Sequence, residues 1–358
     1  MEYVQERITT LHDFSDPSPP MPDDVTVVVP LRVVDAPGEV VLRTFETLAD
    51  NAPTRVIVPV RGDRDSVNRT AASLRTLYAD IDVVWCNAPD VKQLLKDAGM
   101  PTDGGKGLDT WLALGIASEP DGTIVIHDGD NLAFNQDLVP RLAWGVDRGF
   151  PFAKGYYARI EENRLYGRLM RLLCRPLVEA VRRRSDDDLP EYLAAFRYPL
   201  AGEFAMDASI ADRLEISPTW GLEIDVLCGA FELAGFSGSA QTDLGIHRHH
   251  HRDVQGEGGL GDMAAAVTRS LLLGLTDRGH QIEVECLQDR YLQTANEYIE
   301  QFAADAAFNG LEYDESNERA QVARYAESIT APLRDDRLTT FRKSGLCAEC
   351  IWKAATVD

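Results

Sequence analysis

The stretch Thr123-Ile124-Val125-Ile126-His127-Asp128-Gly129-Asp130 decides the fold. Four residues that are apolar or β-branched suit a short strand buried on both faces, as in a parallel sheet covered by helices. The strand gives way at once to an acidic tip. In open α/β sheets ligands collect outside the carboxyl ends of the strands, so Asp128 and Asp130 are the first candidates for chemistry. Two apart in an extended segment, their carboxylates leave the same face, and Gly129 between them lets a ligand approach the backbone. Hard oxygen donors at that spacing suit Mg2+ or Mn2+ carrying a diphosphate.

Upstream, the same strand signature recurs at 25–29, 55–60 and 81–85, each run followed by helical spacing at 39–50, 65–78 and 89–98. Such alternation predicts a mainly parallel sheet with helices on both faces. The segment 1–24 ends in Ser18-Pro19-Pro20-Met21-Pro22-Asp23-Asp24 and reads as an irregular N-terminal arm, with the main α/β domain over 25–260. Downstream, 262–276 and 296–307 are helical with acidic faces, which predicts a C-terminal helical appendage over 261–345 and a short tail over 346–358.

Composition narrows the class. The chain has 358 residues, 44% hydrophobic and 26% charged, enough for a large buried core. No run of apolar residues is long enough to span a bilayer, and the acidic start has neither the apolar run of a secretory signal nor the basic character of a transit peptide, so a cytoplasmic, soluble protein is expected. A net charge of -22 makes nucleic acid a poor partner. Because the acids are spread along the whole chain, the charge reads as adaptation to a salt-rich cytoplasm, where screening is short-ranged, in preference to a docking site for a basic partner. The scattered cysteines suit a reducing compartment. Cys347 and Cys350 form a C-x-x-C with no second pair to complete a zinc site and no βαβ context, and the sequence assigns them no role.

Four further groups could carry chemistry. Gly104-Gly105-Lys106-Gly107 precedes the helical stretch 108–117, where glycines admit phosphate to the backbone and Lys106 adds charge, although the P-loop pattern is not satisfied. Arg164, Arg168, Arg171 and Arg175, spaced four, three and four apart, predict a basic stripe along one helix that Pro176 kinks or ends. That stripe fits a carboxylate or phosphate on a small acceptor, pairing with the protein's own acids, or an anionic membrane surface. His247, His249 and His251 would share one face of an extended strand, where a metal ligand and a solvated loop are both open readings. Glu203 and Glu223 sit in apolar or glycine-rich sequence, as sugar or acceptor ligands or as buried ion-pair partners.

Taken together these segments resemble the retaining glucosyl-3-phosphoglycerate synthases, a GT-A fold family that uses UDP-glucose, Mg2+ and 3-phosphoglycerate. The likeness covers roughly residues 100–275 and rests on several motifs in one order. They are Gly105-Lys106-Gly107 with Trp111, Asp128-Gly129-Asp130, Lys154-Gly155-Tyr156-Tyr157, Gly167-Arg168, Arg175-Pro176-Leu177, Pro199-Leu200 leading to Glu203, Gly221-Leu222-Glu223, and Asp243-Leu244-Gly245-Ile246 leading to His249. The resemblance implies that Asp130 and His249 bind the metal, with Asp128 and Gly129 beside the nucleotide and Lys106 near the uridine or its phosphates. Leu200 and Glu223 would line the donor sugar, and with Asp130 form the catalytic set. Gly167 and Arg168 would take the acceptor's phosphate, with Lys154, Met170 and His247 in the acceptor region. A homodimer is implied as well.

Three departures stand out. Met170 replaces a family Thr; Pro30-Leu31-Arg32-Val33-Val34-Asp35 replaces an Asn-Glu pair at the nucleotide, leaving Pro30 and Arg32 as the candidates there; and Val60-Arg61-Gly62-Asp63 replaces an Asp-Ser-Gly-Ser type turn. GDP-mannose as donor, or another small anionic acceptor, is therefore an open alternative, as is a non-catalytic nucleotide-sugar sensor. Sugar-phosphate nucleotidylyltransferases place a glycine-rich basic loop after the first strand, which this chain lacks.

Overall fold

The computed structural model describes residues 5–14, 18–33, 37–119, 121–247, 259–331 and 334–357. Its strands are β1 (Thr9–Leu11), β2 (Val25–Val28), β3 (Leu31–Arg32), β4 (Arg55–Arg61), β5 (Ile81–Trp85), β6 (Thr123–Ile126), β7 (Phe152–Ala158), β8 (Ile160–Glu161), β9 (Arg164–Leu165), β10 (Phe204–Asp207) and β11 (Ser239–Ile246). The helices are α1 (Glu39–Asn51), α2 (Arg64–Leu77), α3 (Pro89–Asp97), α4 (Lys106–Ala117), α5 (Leu138–Asp147), α6 (Arg175–Arg182) and α7 (Asp188–Ala195). They continue with α8 (Ala208–Ala211), α9 (Leu222–Leu233), α10 (Leu260–Asp277), α11 (Val284–Asn309), α12 (Glu315–Ala326) and α13 (Ala348–Ala355).

The main sheet runs β1-β11-β7-β10-β6-β2-β4, with β3 and β5 also paired to β4. All of its neighbours are parallel except β10, which is antiparallel to both β6 and β7. Strands β2 and β3 follow one register on β4: Thr26 faces Arg55, Val28 faces Ile57 and Leu31 faces Val60. They are separated by Val29, whose N–H still donates to the Ile57 carbonyl, and by Pro30, which has no N–H to donate. The continuous apolar run of β6 is buried throughout, as a central strand requires.

Around the sheet, α4 packs on β2 and β4, and α5 on β6, β7, β10 and β11. One apolar cluster takes in the sheet, Leu271 and Leu272 of α10, and Tyr291 and Ile299 of α11. The C-terminal segment then returns to α4: Trp111 Nε1 donates to the Thr339 carbonyl at 2.9 Å, and the Phe341 ring fills the space over Gly115.

Two expectations are corrected. The N-terminal arm is not irregular throughout, because Thr9–Leu11 adds a parallel edge strand to β11. The tail over 346–358 carries α13, which packs on α3, α4 and β5. The arginine stripe does not lie on one α-helix, since Arg164 belongs to β9 and Leu169–Cys174 is a π-helix that runs directly into α6. Pro176 stands in the first turn of α6, at the junction with the π-helix, so it marks where the α-helix begins and does not end it; the Leu172 carbonyl four residues back accepts from Tyr291 Oη instead.

Candidate active site

The reversed strand β10 explains how the site is assembled. Parallel strands β6, β7 and β11 bring their carboxyl ends to one edge of the sheet, and β10, running the other way, brings its start and the preceding loop to that same edge. A cleft opens there. Lys106, Asp128, Asp130 and Glu223 line one part of it, and Arg159, Gly167, Arg168 and Met170 another.

Lys106, in the first turn of α4, is the hub of the acidic part. Its Nζ lies 2.7 Å from Asp128 Oδ1 and 2.9 Å from Glu223 Oε1. Burial alone would lower its pKa, but the two carboxylates overcome that and hold it well above the usual lysine range, so it stays charged. The α4 terminus is pinned by the loop before α9: the Gly105 and Leu108 N–H groups donate to the Pro218 carbonyl at 2.8 and 3.0 Å. A Cβ on Gly107 would fall on the Ser217 carbonyl oxygen, so this glycine is demanded by close backbone approach. Gly202 is required likewise, because a Cβ there would strike the Asp128 carboxylate, with its Cγ at 2.7 Å.

Beneath the cleft lies a buried polar cluster. Glu203 is fully buried at the start of β10, with Oε1 3.1 Å from His247 Nε2 and Oε2 without a hydrogen-bond partner among the described residues. Burial would raise its pKa, but His247, His127 and Lys106 hold it well below the usual carboxylate range. Lys154 is also fully buried; it donates to the Ala201 carbonyl at 2.8 Å, and burial brings its pKa down to about 8 against the pull of Glu223 and Glu203. A β-bulge near the end of β11, where Gly245 has φ +71°, re-aims the chain so that the His247 N–H donates to the Ala158 carbonyl and its ring stacks on Tyr157 at 4.3 Å.

The basic part is built on Gly167. Its φ of +73° disfavours any side chain, and a Cβ there would also lie only 2.8 Å from Tyr198 Oη. The next residues, Arg168 and Leu169, begin the π-helix and face the cleft with the helix's N-terminal end. An anion is favoured there. Of the four spaced arginines only Arg168 lines the cleft. Arg164 pairs with exposed Glu312, buried Arg171 is held by both oxygens of Glu318, and Arg175 donates to the Ala194 and Phe196 carbonyls. Those three serve the fold.

The cleft thus gathers Lys106, Asp128, Asp130, Gly167, Arg168, Met170, Leu200, Glu223 and His247 from stretches far apart in the chain. Lys154 does not reach it; its ammonium turns to Ala201, which removes it from the acceptor region. Gly129 does not leave its backbone open to a ligand, because Leu31 and Val29 occupy the space over it. Pro30 and Arg32 follow β2, with Arg32 paired to Arg61 of β4, and do not line the cleft. Arg61 and Asp63, which depart from the family turn, are structural: Arg61 Nε bonds Asp109 at 2.9 Å on the helix that carries Lys106, and Asp63 caps α2. His249 lies outside the described residues.

Two cleft features have no local signal in the sequence. Arg159 and Tyr198 stand just outside the quoted motifs, two residues after Tyr157 and one before Pro199, and Leu260, Met263 and Val267 of α10 wall one side. The spacing of the last three, three and four apart, predicts a helix face but not what it covers.

As to a metal, the donors fit a divalent cation. Asp130 supplies a hard carboxylate at the cleft, Asp128 stands two residues away, and such ions are commonly held by one or two carboxylates plus substrate phosphates and water. Among the described residues no group of three His, Cys, Asp or Glu forms an all-protein cage. No helix among them is long and apolar enough to cross a membrane.

No family model matches the chain. Over 92% of its length it is 29% identical to the glucosyl-3-phosphoglycerate synthase of Methanococcoides burtonii, covering 88% of that protein. It is 30% identical over 75% of its length to the synthase of Persephonella marina, covering 70% of that relative. The structure of the Mycobacterium tuberculosis glucosyl-3-phosphoglycerate synthase with Mn2+, UDP and phosphoglyceric acid superposes with a TM-score of 0.59 and 26% identity, over 77% of this chain and 88% of that one. With the sheet order, the acidic tip of β6 and the cleft around it in place, the chain belongs to the glucosyl-3-phosphoglycerate synthase family of glycosyltransferases.

Proposed function

We propose that this enzyme moves glucose from UDP-glucose to the hydroxyl of 3-phosphoglycerate with retention of configuration. One observation carries the reading: a single cleft joins an acidic, lysine-centred end suited to a metal-bound diphosphate to an arginine-bearing helix terminus suited to a small anion. Relatives of the same name and the mycobacterial complexes with UDP-glucose, Mn2+ and phosphoglyceric acid support it.

In this reading Asp130, with His249, holds Mg2+ or Mn2+, which supplies neutralisation of the charge that develops on the leaving diphosphate. Lys106 adds a fixed positive charge at the same end, pre-positioned by Asp128 and Glu223 and so needing no reorganisation. Leu200 and Glu223 border the transferred sugar. Arg168 and the helix terminus behind Gly167 take the acceptor's phosphate, and Arg159 takes its carboxylate, a division of labour that suits two guanidinium groups in one cleft. Tyr157, Tyr198, Trp220 and the α10 side chains exclude water, which would otherwise attack in place of the hydroxyl. Met170, buried and apolar, offers no hydroxyl to the phosphate, so Arg168 carries more of that task.

The test is direct. The purified protein is incubated in molar KCl with UDP-glucose and 3-phosphoglycerate, with and without EDTA, and with GDP-mannose in parallel. Glucosyl-3-phosphoglycerate and UDP should form only without chelator. Donor binding by calorimetry with no nucleotide release in any combination would leave a sensor, and faster turnover of GDP-mannose would reassign the donor. The same reading carries a cytoplasmic homodimer, which light scattering on the eluted protein checks.

A further inference from the structure

The glycosyl-transfer site makes no use of the two thiols near the C-terminus. Cys347 is the N-cap of α13 and Cys350 stands in its first turn. The Cys350 N–H donates to the Cys347 Sγ at 3.4 Å, and both side chains are exposed. Residues three apart at a helix start have Cα atoms about 5–6 Å apart, inside the range a disulfide spans. The helix itself is firmly seated: Ile351 and Ala355 are fully buried, Thr356 bridges to Val84 of β5, and Arg75 donates to the Val357 carbonyl at 2.7 Å. The dithiol is therefore presented to solvent on a fixed support.

We propose that Cys347 and Cys350 form a thiol–disulfide exchange site for a low-molecular-weight disulfide such as glutathione disulfide, with Cys347 as the attacking sulfur and Cys350 as the resolving one. The Cys347 thiolate attacks one sulfur of the small disulfide and expels one thiolate, leaving a mixed disulfide. Cys350 then loses its proton to solvent, attacks Cys347 Sγ and expels the second thiolate. Two cysteine thiols become one cystine, and the small disulfide is reduced to two thiols, so two electrons balance.

The order of attack follows from the local donors. A thiolate at Cys347 receives the Cys350 thiol and the backbone N–H groups of Cys350 and Glu349, which lower its pKa, while the same contact raises that of Cys350. The chain carries its own control: Cys286 is equally exposed but sits beside Glu283, which raises its pKa. Cys86 and Cys174 are buried. Because the bond would join residues within one helical turn, α13 keeps its place, and the cleft, whose lining includes no residue of α13, is unaffected.

The experiment uses the full-length protein and glutathione redox buffers, read by peptide mass spectrometry after quenching. The expected product is an internal Cys347–Cys350 disulfide that titrates with the glutathione ratio, with glycosyltransferase activity unchanged. At pH 7, iodoacetamide should label Cys347 faster than Cys286, the order expected from the direction of their pKa shifts. Cys350→Ala should trap Cys347 as the glutathione mixed disulfide and slow its alkylation, with an unchanged circular dichroism spectrum. Absence of the internal link at every glutathione ratio, or labelling of Cys286 at least as fast as Cys347, overturns the proposal.

Discussion

Replacing Gly107 by alanine tests how the cleft lysine, Lys106, is held. The added Cβ would fall on the Ser217 carbonyl oxygen, 2.8 Å from the Pro218 carbonyl carbon and 2.9 Å from the Thr219 nitrogen. All three are backbone atoms, so no side chain can swing away. Carbon contacts settle at about 3.5–4.0 Å, so the α4 terminus and the loop before α9 must separate by roughly 1 Å. That separation strains the Gly105 and Leu108 hydrogen bonds to Pro218. Overpacking of about 1–3 kcal/mol and two hydrogen bonds of about 1 kcal/mol each set a loss of about 3–5 kcal/mol before relaxation. Lys106 precedes Gly107 and moves with it, and a misplacement of about 1 Å commonly costs about 100-fold in rate. Initial rates with UDP-glucose and 3-phosphoglycerate, taken well below the melting temperature, should therefore show kcat/KM about 100-fold down, with Tm lowered by several degrees. Gly261→Ala, where nothing lies within 4 Å of the new Cβ, is the control and should leave both unchanged. Wild-type Tm and kcat/KM within twofold in Gly107→Ala would refute the close-approach argument.

Asp130→Ala should abolish metal-dependent turnover while circular dichroism shows an intact fold; full turnover at saturating Mg2+ would remove the metal assignment. Arg168→Ala should raise the acceptor KM far more than the donor KM, as loss of ground-state binding does, whereas Arg164→Ala, at an exposed pair, should change neither. Arg171→Ala strands Glu318 in the interior and should lower stability by about 3–5 kcal/mol in a urea melt. Asp225, whose Oδ2 accepts from the Ser217 N–H and the Ser270 hydroxyl, has its pKa pushed by burial up to about 7. Its contribution to stability is therefore full below its unfolded pKa and is lost as pH rises toward 7. An asparagine at this position cannot titrate, so the Tm of Asp225→Asn relative to wild type should rise between about pH 4 and about pH 7. A pH-independent difference would contradict the assignment.

Much of the sheet was legible because its signals are local. The apolar run of β6 and its acidic tip need only a few residues to be read, and the βα alternation repeats upstream of them. The arginine stripe misled for a physical reason. A spacing of four, three and four shares a face only on a regular α-helix, but Arg164 is in a strand and the π-helix at 169–174 changes the angle between successive residues. The Glu203–His247 pair joins positions far apart in sequence across two strands, so nothing near either residue could single out its partner. Lys154 reads as a cleft residue from its motif; only the burial of β7 shows that its ammonium is spent on a backbone carbonyl. Arg159 and the α10 wall depend on how distant elements meet, which periodicity does not encode.

The reversal of β10 separates two tasks that a purely parallel sheet would give to one set of loops. The acidic end of the cleft is furnished by chain leaving β6 and by the starts of α4 and α9, whereas Leu200 arrives on chain entering β10. In the proposed reading, the contact of Leu200 with the hexose and the grip on the nucleotide thus come from segments of different origin. Change at Leu200 leaves that grip in place, whereas Gly202, packed on the Asp128 carboxylate, ties the rest of the loop to it.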